Sequence, residues 1–322
     1  MIILTGGAGF IGSAFLWKLN KEGKKDVTVV DKLDNTDKWK NLRGKLFDDY
    51  IDKDDFLCLL EAGKFKKIDT IFHIGACSST TENDAHYLMS NNYQYSKRIA
   101  FWCANNNIKL IYASSAATYG DGKLGYKDDH DSLIKLKPMN IYGYSKHAFD
   151  LWLMQNKLLN KFTGLKYFNV YGPNEYHKED MMSVICKAYK QIQETGKLKL
   201  FNSYKQGIAH GEQKRDFIYI KDVLEIMYFF YKNPTKSGIY NLGTGIARSF
   251  NDLASSIFKA MGKQKQINYI NMPIQIRNKY QYFTEADLGK LKKSGYKKKF
   301  YSLEEAVIDY VQNHLSAEDP YL

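Results

Sequence analysis

The first half of the chain alternates short apolar, largely β-branched runs with longer stretches in which apolar positions recur every three or four residues. The runs "MIILT" (1–5), "VTVVD" (27–31), "DTIFH" (69–73) and "KLIYASS" (109–115) read as buried strands. Helical patterns begin near Ile11, Asp54 and Asn83, and a longer one runs from about Tyr142 to Lys161. A further strand is expected at "GLKYFNV" (164–170). Strands without a polar face, separated by helices, predict βαβ units. The expected fold is therefore α/β: a Rossmann-like, doubly wound parallel sheet with both faces covered.

Past "YGP" (171–173) the alternation loosens. A helix is expected over about 181–194, then a polar, Gly-containing stretch to 214. "RDFIYI" (215–220) and "GIYNLGTG" (238–245) read as returns to the main sheet. "SLEE" starts a last helix that runs to about Leu315, with Ser302 and Glu305 forming a capping box. The organisation expected is a nucleotide-binding domain over 1–170, revisited at about 215–245, and a smaller C-terminal lobe over 171–322 devoted mainly to substrate.

Composition narrows the partners. The 322 residues, 44% of them hydrophobic, suffice for a large buried core. The formal charge of +12 comes largely from lysines scattered through stretches such as "NKEGKKD" and "KKSGYKKKF". That pattern is a solvated basic surface, which suits a polyanionic small substrate. No arginine-rich arm or zinc-finger spacing is present, so no nucleic-acid partner is expected. Cys58, Cys77, Cys103 and Cys186 form no CxxC pair, and the seven histidines do not cluster. Reduced thiols in a cytoplasmic protein, with no metal site, are the expectation. No apolar run reaches the ~20 residues that span a bilayer, so no membrane partner is expected.

"MIILTGGAGFIGS" places a glycine cluster between the first strand and the first helix. Gly7, Gly9 and Gly12 fit GxGxxG, and Gly6 adds the TGxxGxxG form. Such a cluster gives a tight turn, close approach of backbone to a pyrophosphate, and tight packing of helix on strand. The helix N-terminus then faces the phosphates with its positive end. Asp31 closes the second strand nineteen residues after Gly12, where a carboxylate meets the adenine ribose. Asp31 favours the free 2′-hydroxyl of NAD, while Lys32 and Lys38 suit the 2′-phosphate of NADP; on residues alone both stand.

"NIYGYSK" (140–146) offers two phenols and an ammonium. Residues four apart share a helix face, so Tyr142 meets Lys146 and Tyr144 points elsewhere. A free phenol, with a pKa of about 10, is a poor base at neutral pH. A neighbouring ammonium is expected to lower that value, so that Tyr142 exchanges a proton with a sugar hydroxyl. Ser115 at the end of the fourth strand, or its neighbour Ser114, is placed to donate a hydrogen bond to the substrate oxygen.

The order glycine loop, "YASSAATYG" (112–120), then YxxxK resembles the extended short-chain dehydrogenase/reductase family, whose members act mostly on nucleotide-linked sugars. The resemblance implies Ser115, Tyr142 and Lys146 as the catalytic set. Ala116 and Ala117 stand where the sugar 4,6-dehydratases of that family carry an Asp-Glu pair, so dehydration is not expected.

Within the family, "GACSSTTE" (75–82), "NNYQYSK" (91–97), "YFNVYGPNEYHK" (167–178) and "KRDFIYIKDV" (214–223) are similar to the branch that inverts C6 of ADP-heptose for lipopolysaccharide core sugars. That branch implies tightly bound NADP, a transient C6 aldehyde, and a homo-oligomer, pentameric in form. It implies cofactor contacts at Gly6, Gly9, Phe10, Ile11, Gly12, Asp31, Lys32, Lys38, Lys53, Ile74, Gly75, Ala76, Cys77, Ser78, Asn91, Lys146, Val170 and Lys178. Substrate contacts are implied at Ser78, Asn169, Asp180, Lys187, Phe201, Arg215 and Tyr280. Lys178 would be the second acid/base that inversion requires, and Lys187 and Arg215 would meet the ADP pyrophosphate. For Arg215 the competing role is an ion pair with Asp216 or Asp222. The rival functions are a UDP-hexose 4-epimerase, which turns the whole sugar over and needs no second base, and a non-catalytic NADP sensor.

Overall fold

The computed structural model describes residues 1–277 and 280–322. Along the chain come β1 (Ile2–Thr5), α1 (Phe10–Lys21), β2 (Val27–Asp31), β3 (Asp49–Asp52), α2 (Lys53–Glu61) and β4 (Thr70–His73). Then follow α3 (Ala85–Leu88), a π turn (Met89–Gln94), α4 (Tyr95–Asn105), β5 (Lys109–Ser115), α5 (Ile141–Gln155), β6 (Thr163–Tyr167) and β7 (Asn169–Tyr171). The second half contains α6 (Val184–Thr195), β8 (Leu198–Phe201), β9 (Lys214–Tyr219), α7 (Ile220–Lys232), β10 (Gly238–Leu242) and β11 (Ala247–Ser249). It ends with α8 (Phe250–Ala260), β12 (Ile267–Ile270), α9 (Ile274–Arg277), α10 (Gly289–Lys293) and α11 (Leu303–Tyr310).

Seven strands form one wholly parallel sheet in the order β10-β6-β5-β4-β1-β2-β3. Every residue of β1, β2 and β4 is buried, as strands covered on both faces require. From β1 the chain passes to β2 on one side and, after β3, returns to β4 on the other. The order therefore reverses between β1 and β4, opening a crevice at their carboxyl ends. The expected doubly wound sheet is what the chain forms.

The second half departs from the sequence pattern in instructive ways. The single strand expected over 164–170 is two strands. β6 stays in the large sheet, while β7 leaves at Phe168 and pairs in parallel with β9. "RDFIYI" does not return to the main sheet: β9 joins β7 and the antiparallel β11 in a separate three-stranded sheet. Only β10 returns, pairing with β6 from Gly238 to Leu242. The reason lies in α7, which follows β9 without a loop and packs its apolar face against α1, with Lys18 reaching Glu225 at 2.6 Å.

Two other boundaries moved. α5 ends at Gln155, not near Lys161, because Lys157 adopts a positive φ of 57° and the backbone N–H of Leu158 turns back to the carbonyl of Leu153 at 2.8 Å. Leu158, Leu159 and Phe162 are nevertheless buried, so apolar spacing outlasts the helix. The polar stretch before 214 hides β8, which pairs with β12 as a small parallel ribbon. At the other end, the capping box of Ser302 and Glu305 is present.

Behind the crevice, Lys166 on β6 and Asp150 on α5 form an ion pair of 2.9 Å with neither side chain exposed. Asp150 also accepts hydrogen bonds from Tyr112 (3.0 Å) and Ser114 (2.8 Å), and Lys166 donates to Thr118 (2.5 Å). Every charge here is compensated, so removing one partner strands the other. A Lys166→Met protein is expected to lose about 3–5 kcal/mol of unfolding free energy, read by urea denaturation. Adding Asp150→Asn should restore part of that loss.

Candidate active site

A cavity of about 700 Å³ occupies the crevice. Its floor is the glycine turn. Gly6 has a φ of 71°, and a Cβ there would lie 2.5 Å from the backbone of Gly75 after β4. A Cβ on Gly12 would fall 2.0 Å from the carbonyl oxygen of Gly6. Backbone thus meets backbone where a side chain would otherwise stand. Helix α1, with Gly9 as its N-cap, has no side-chain cap and no acid in its first turn, and Phe10, Ile11 and Gly12 of that turn line the cavity. Such a cradle fits the pyrophosphate of a dinucleotide.

Asp31 is less free than its position suggests. One carboxylate oxygen accepts from the amides of Ala8 (2.8 Å) and Gly9 (3.1 Å), and the other from Lys38 Nζ (2.6 Å). Asp31 and Lys38 both line the cavity, as do Phe10, Ile11, Ile74, Gly75, Ala76, Cys77, Ser78, Asn169 and Val170. Lys32 is absent from the wall; its ammonium pairs with Asp54 in solvent at 2.9 Å. Lys53 and Asn91 are joined to each other at 2.7 Å, also outside the wall.

Ser115, Tyr142 and Lys146 come together on the cavity wall, while Tyr144 is exposed. The four-residue spacing thus places Tyr142, and not Tyr144, on the wall with Lys146. The neighbouring Ser114 is turned the other way, donating to Asp150. The expected acidification of Tyr142 by Lys146 is not found. Burial raises the phenol above its ordinary value, and Ser115 offsets part of that rise. The Lys146 ammonium instead donates to the carbonyl of Ala113 at 3.0 Å. Burial brings Lys146 itself down to about 8, against the supporting charge of Asp150.

Lys178 enters the same cavity from a turn after β7, its ammonium 5.5 Å from the ring centre of Phe10. Burial lowers its pKa, and Glu175 opposes the shift. Its neighbour His177 also lines the cavity, with its Nδ1 3.1 Å from the side-chain amide of Asn41, which donates to the carbonyl of Ala8.

The expected substrate residues are more dispersed. Ser78 and Asn169 line the cavity, whereas Asp180, Lys187, Phe201, Arg215 and Tyr280 do not. Lys187 donates to the carbonyl of Asp180 at 2.5 Å, and Phe201 is half-buried at the end of β8. Arg215 is 8% exposed, with its guanidinium 5.0 Å from the ring of Tyr280 and 5.9 Å from that of Phe250. No ion pair to Asp216 or Asp222 forms. Asp216 accepts from Thr244, Gly245 and Ala286, and Asp222 from Tyr301. Among the described residues Arg215 has no carboxylate partner.

The sequence reading missed Asn92, His177 and Glu175. Asn92 binds both the N–H and the C=O of Cys77 at 2.9 Å and reaches Ser145 at 3.1 Å, tying the loop after β4 to α5. It sits in the π turn, where ordinary helical spacing misassigns faces. His177 and Glu175 lay in plain view within "NEYHK", without a periodic signal to mark them. Among the described residues, no group of three His, Cys, Asp or Glu side chains has metal-binding geometry.

The chain matches the model of the NAD dependent epimerase/dehydratase family over residues 2–243. It is 53% identical over 335 residues to an ADP-L-glycero-D-manno-heptose-6-epimerase of Fusobacterium nucleatum subsp. nucleatum, covering all of both chains. To the enzyme of the same name from Nitratidesulfovibrio vulgaris it is 50% identical over 323 residues, again covering all of both. Among solved structures, the Helicobacter pylori ADP-L-glycero-D-manno-heptose-6-epimerase superposes with a TM-score of 0.82 at 31% identity, over 97% of this chain and 95% of that one. A nicotinamide cradle, a serine–tyrosine–lysine wall and full-length likeness coincide, and the chain belongs to the NAD dependent epimerase/dehydratase family, among its ADP-L-glycero-D-manno-heptose-6-epimerases.

Proposed function

We propose that this protein converts ADP-D-glycero-D-manno-heptose to ADP-L-glycero-D-manno-heptose by oxidising C6 and reducing it again on the opposite face, in the supply of lipopolysaccharide core sugars. One observation carries the reading: two proton-exchanging groups from different elements, Tyr142 and Lys178, share a single cavity. A nicotinamide held by the glycine turn and Lys146 would supply the redox chemistry for the hydride exchanged with C6. Tyr142, hydrogen-bonded with Ser115, is the group on the wall placed to exchange the hydroxyl proton on one face. Because C6 is exocyclic, rotation about C5–C6 presents the other face and moves the oxygen away from Tyr142. Lys178 is the partner for that oxygen, and burial lowers its pKa, the direction that favours proton exchange. A UDP-hexose 4-epimerase would have no use for it.

NADP is the cofactor favoured by this arrangement. Asp31 is occupied by the glycine turn, and Lys38 offers its ammonium on the cavity wall. Lys146 serves the nicotinamide end. Lys32, Lys53 and Asn91, outside the wall, are assigned to the surroundings of the adenosine end. Arg215, buried between aromatic rings, supports binding of the ADP pyrophosphate through charge-assisted hydrogen bonds, with Tyr280 beside it and Lys187, Asp180 and Phe201 at the nucleotide's outer edge. Residues 1–170, with β10, would then hold the cofactor, and residues 171–322 mainly the sugar nucleotide. The four unpaired cysteines support a cytoplasmic setting. Exposed Phe101, Leu124 and Ile134 support a homo-oligomer, for which the resemblance suggests five copies.

Incubation with ADP-D-glycero-D-manno-heptose, followed by NMR without added reductant, should show inversion at C6 and no net consumption of NADPH. Accumulation of a different product, or stoichiometric oxidation of NADPH, would reject an epimerase. Tyr142→Phe and Lys178→Ala should each slow overall turnover by at least about 100-fold, the scale of a lost general acid/base.

Cofactor choice is tested at Lys38. Lys38→Ala should weaken NADPH binding by about 10- to 100-fold, the range expected for one charged hydrogen bond, and leave NADH binding within about twofold by the same scale. Fluorescence titration of the two cofactors checks both numbers.

A further inference from the structure

We infer that Glu175 is the positioning residue of Lys178: a buried carboxylate that closes the loop bearing this lysine and keeps its ammonium facing the cavity. The inference rests on the role proposed above for Lys178.

The loop runs from Gly172 to Ser183; a 3-10 turn over Tyr176–Met181 shapes its middle, but among the described residues no backbone hydrogen bond joins its two ends. Glu175, 1% exposed, supplies what is missing. It accepts from the amide of Gly172 at 3.2 Å where the loop begins. Where the loop ends, it accepts from the amide of Ser183 and from the Ser183 hydroxyl at 2.7 Å. A fourth donor, the Tyr310 hydroxyl at 3.0 Å, ties it to α11. One carboxylate thus joins both ends of the loop to the C-terminal helix.

The backbone shows how firmly this clasp must hold. Asn174 has a φ of 77° and Glu179 a φ of 46°, left-handed values for residues with side chains, and Lys178 lies between them. Each such residue costs on the order of 1–3 kcal/mol and persists where its surroundings over-determine it. Asn174 is fully buried and donates to Ser13 on α1 at 3.0 Å. The loop is therefore pinned to the cofactor cradle as well as to α11.

Both oxygens accept, one from Gly172, the Ser183 hydroxyl and Tyr310 and the other from the Ser183 amide, so a glutamine here would set an NH2 donor against an N–H or O–H donor. The charge of the carboxylate also acts on Lys178. Burial drives that ammonium toward its neutral form, and Glu175 counteracts the drive. Its own ionised form is penalised by burial and favoured by the Ser183 and Gly172 donors. The other titratable neighbours are His177 toward Lys178, and Tyr176, Cys186 and Tyr310 toward Glu175.

The test uses the cofactor-loaded enzyme and each purified C6 epimer separately, following nicotinamide reduction at its absorbance band in a single turnover. Lys178→Ala identifies the epimer that depends on Lys178. Glu175→Gln should slow oxidation of that same epimer by at least about tenfold, a ~1.4 kcal/mol effect, and the other by less than about twofold. Its pH–rate midpoint for the affected epimer should move to lower pH, since losing the carboxylate lowers the lysine's pKa. Tyr310→Phe, outside the cavity, should give a smaller loss on the same epimer; it decides the matter should Glu175→Gln not fold. Equal slowing of both epimers, or full rates for both in a folded variant, would overturn the inference while leaving Lys178 in place. A Lys178→Ala protein that shows no preference between epimers would overturn the underlying role, and this one with it.

Discussion

The site depends on one close approach. The backbone of the turn after β1 touches the backbone after β4 at Gly6 and Gly75, and the first turn of α1 rests on the same turn through Gly12. Remove that contact and the helix start backs away from the sheet, the crevice fills with side-chain atoms, and no surface remains for a pyrophosphate. The parallel sheet supplies the geometry. Because the strand order reverses between β1 and β4, the two loops that must touch both emerge at the same edge.

Around that floor the electrostatics follow a common plan. Each of three cavity lysines has a buried carboxylate near it: Asp31 for Lys38, Asp150 for Lys146, and Glu175 for Lys178. The carboxylates come from a strand end, a helix and a loop, so the plan is tertiary in origin. Each acid is itself hydrogen-bonded by neighbouring donors. Cations presented this way suit a doubly anionic cofactor and a nucleotide-linked sugar, and two of them are pushed toward the neutral form needed for proton exchange. Lys166, fully buried behind the crevice, is spent on Asp150, which also takes Ser114, so Ser115 is the open hydroxyl at the end of β5.

The parts legible in the sequence are those where a local rule and the tertiary structure agree. Tyr142 and Lys146 share a face because a helix has 3.6 residues per turn, and α5 is a helix there. The glycine turn was readable because its residues serve a backbone constraint that is itself local. The second half resisted reading for a physical reason: β7 and β9 form a small sheet with each other, and no alternation in "FNVYGP" announces a change of sheet. Asn92 was hidden by the π turn, which shifts the face by one residue.

The amino-acid order by itself determined the βαβ frame, the glycine cradle, the choice of Tyr142 over Tyr144, and the motifs that marked the family, since each depends on residues a few positions apart. Only the tertiary structure decided that Ser114 serves Asp150 while Ser115 faces the cavity, that Arg215 has no acid partner among the described residues, and that burial raises the Tyr142 phenol. It also brought His177 and Lys178 into the cavity, with Glu175 holding their loop to α11. Burial and charge compensation are sums over side chains distant along the chain, and no local pattern can carry them.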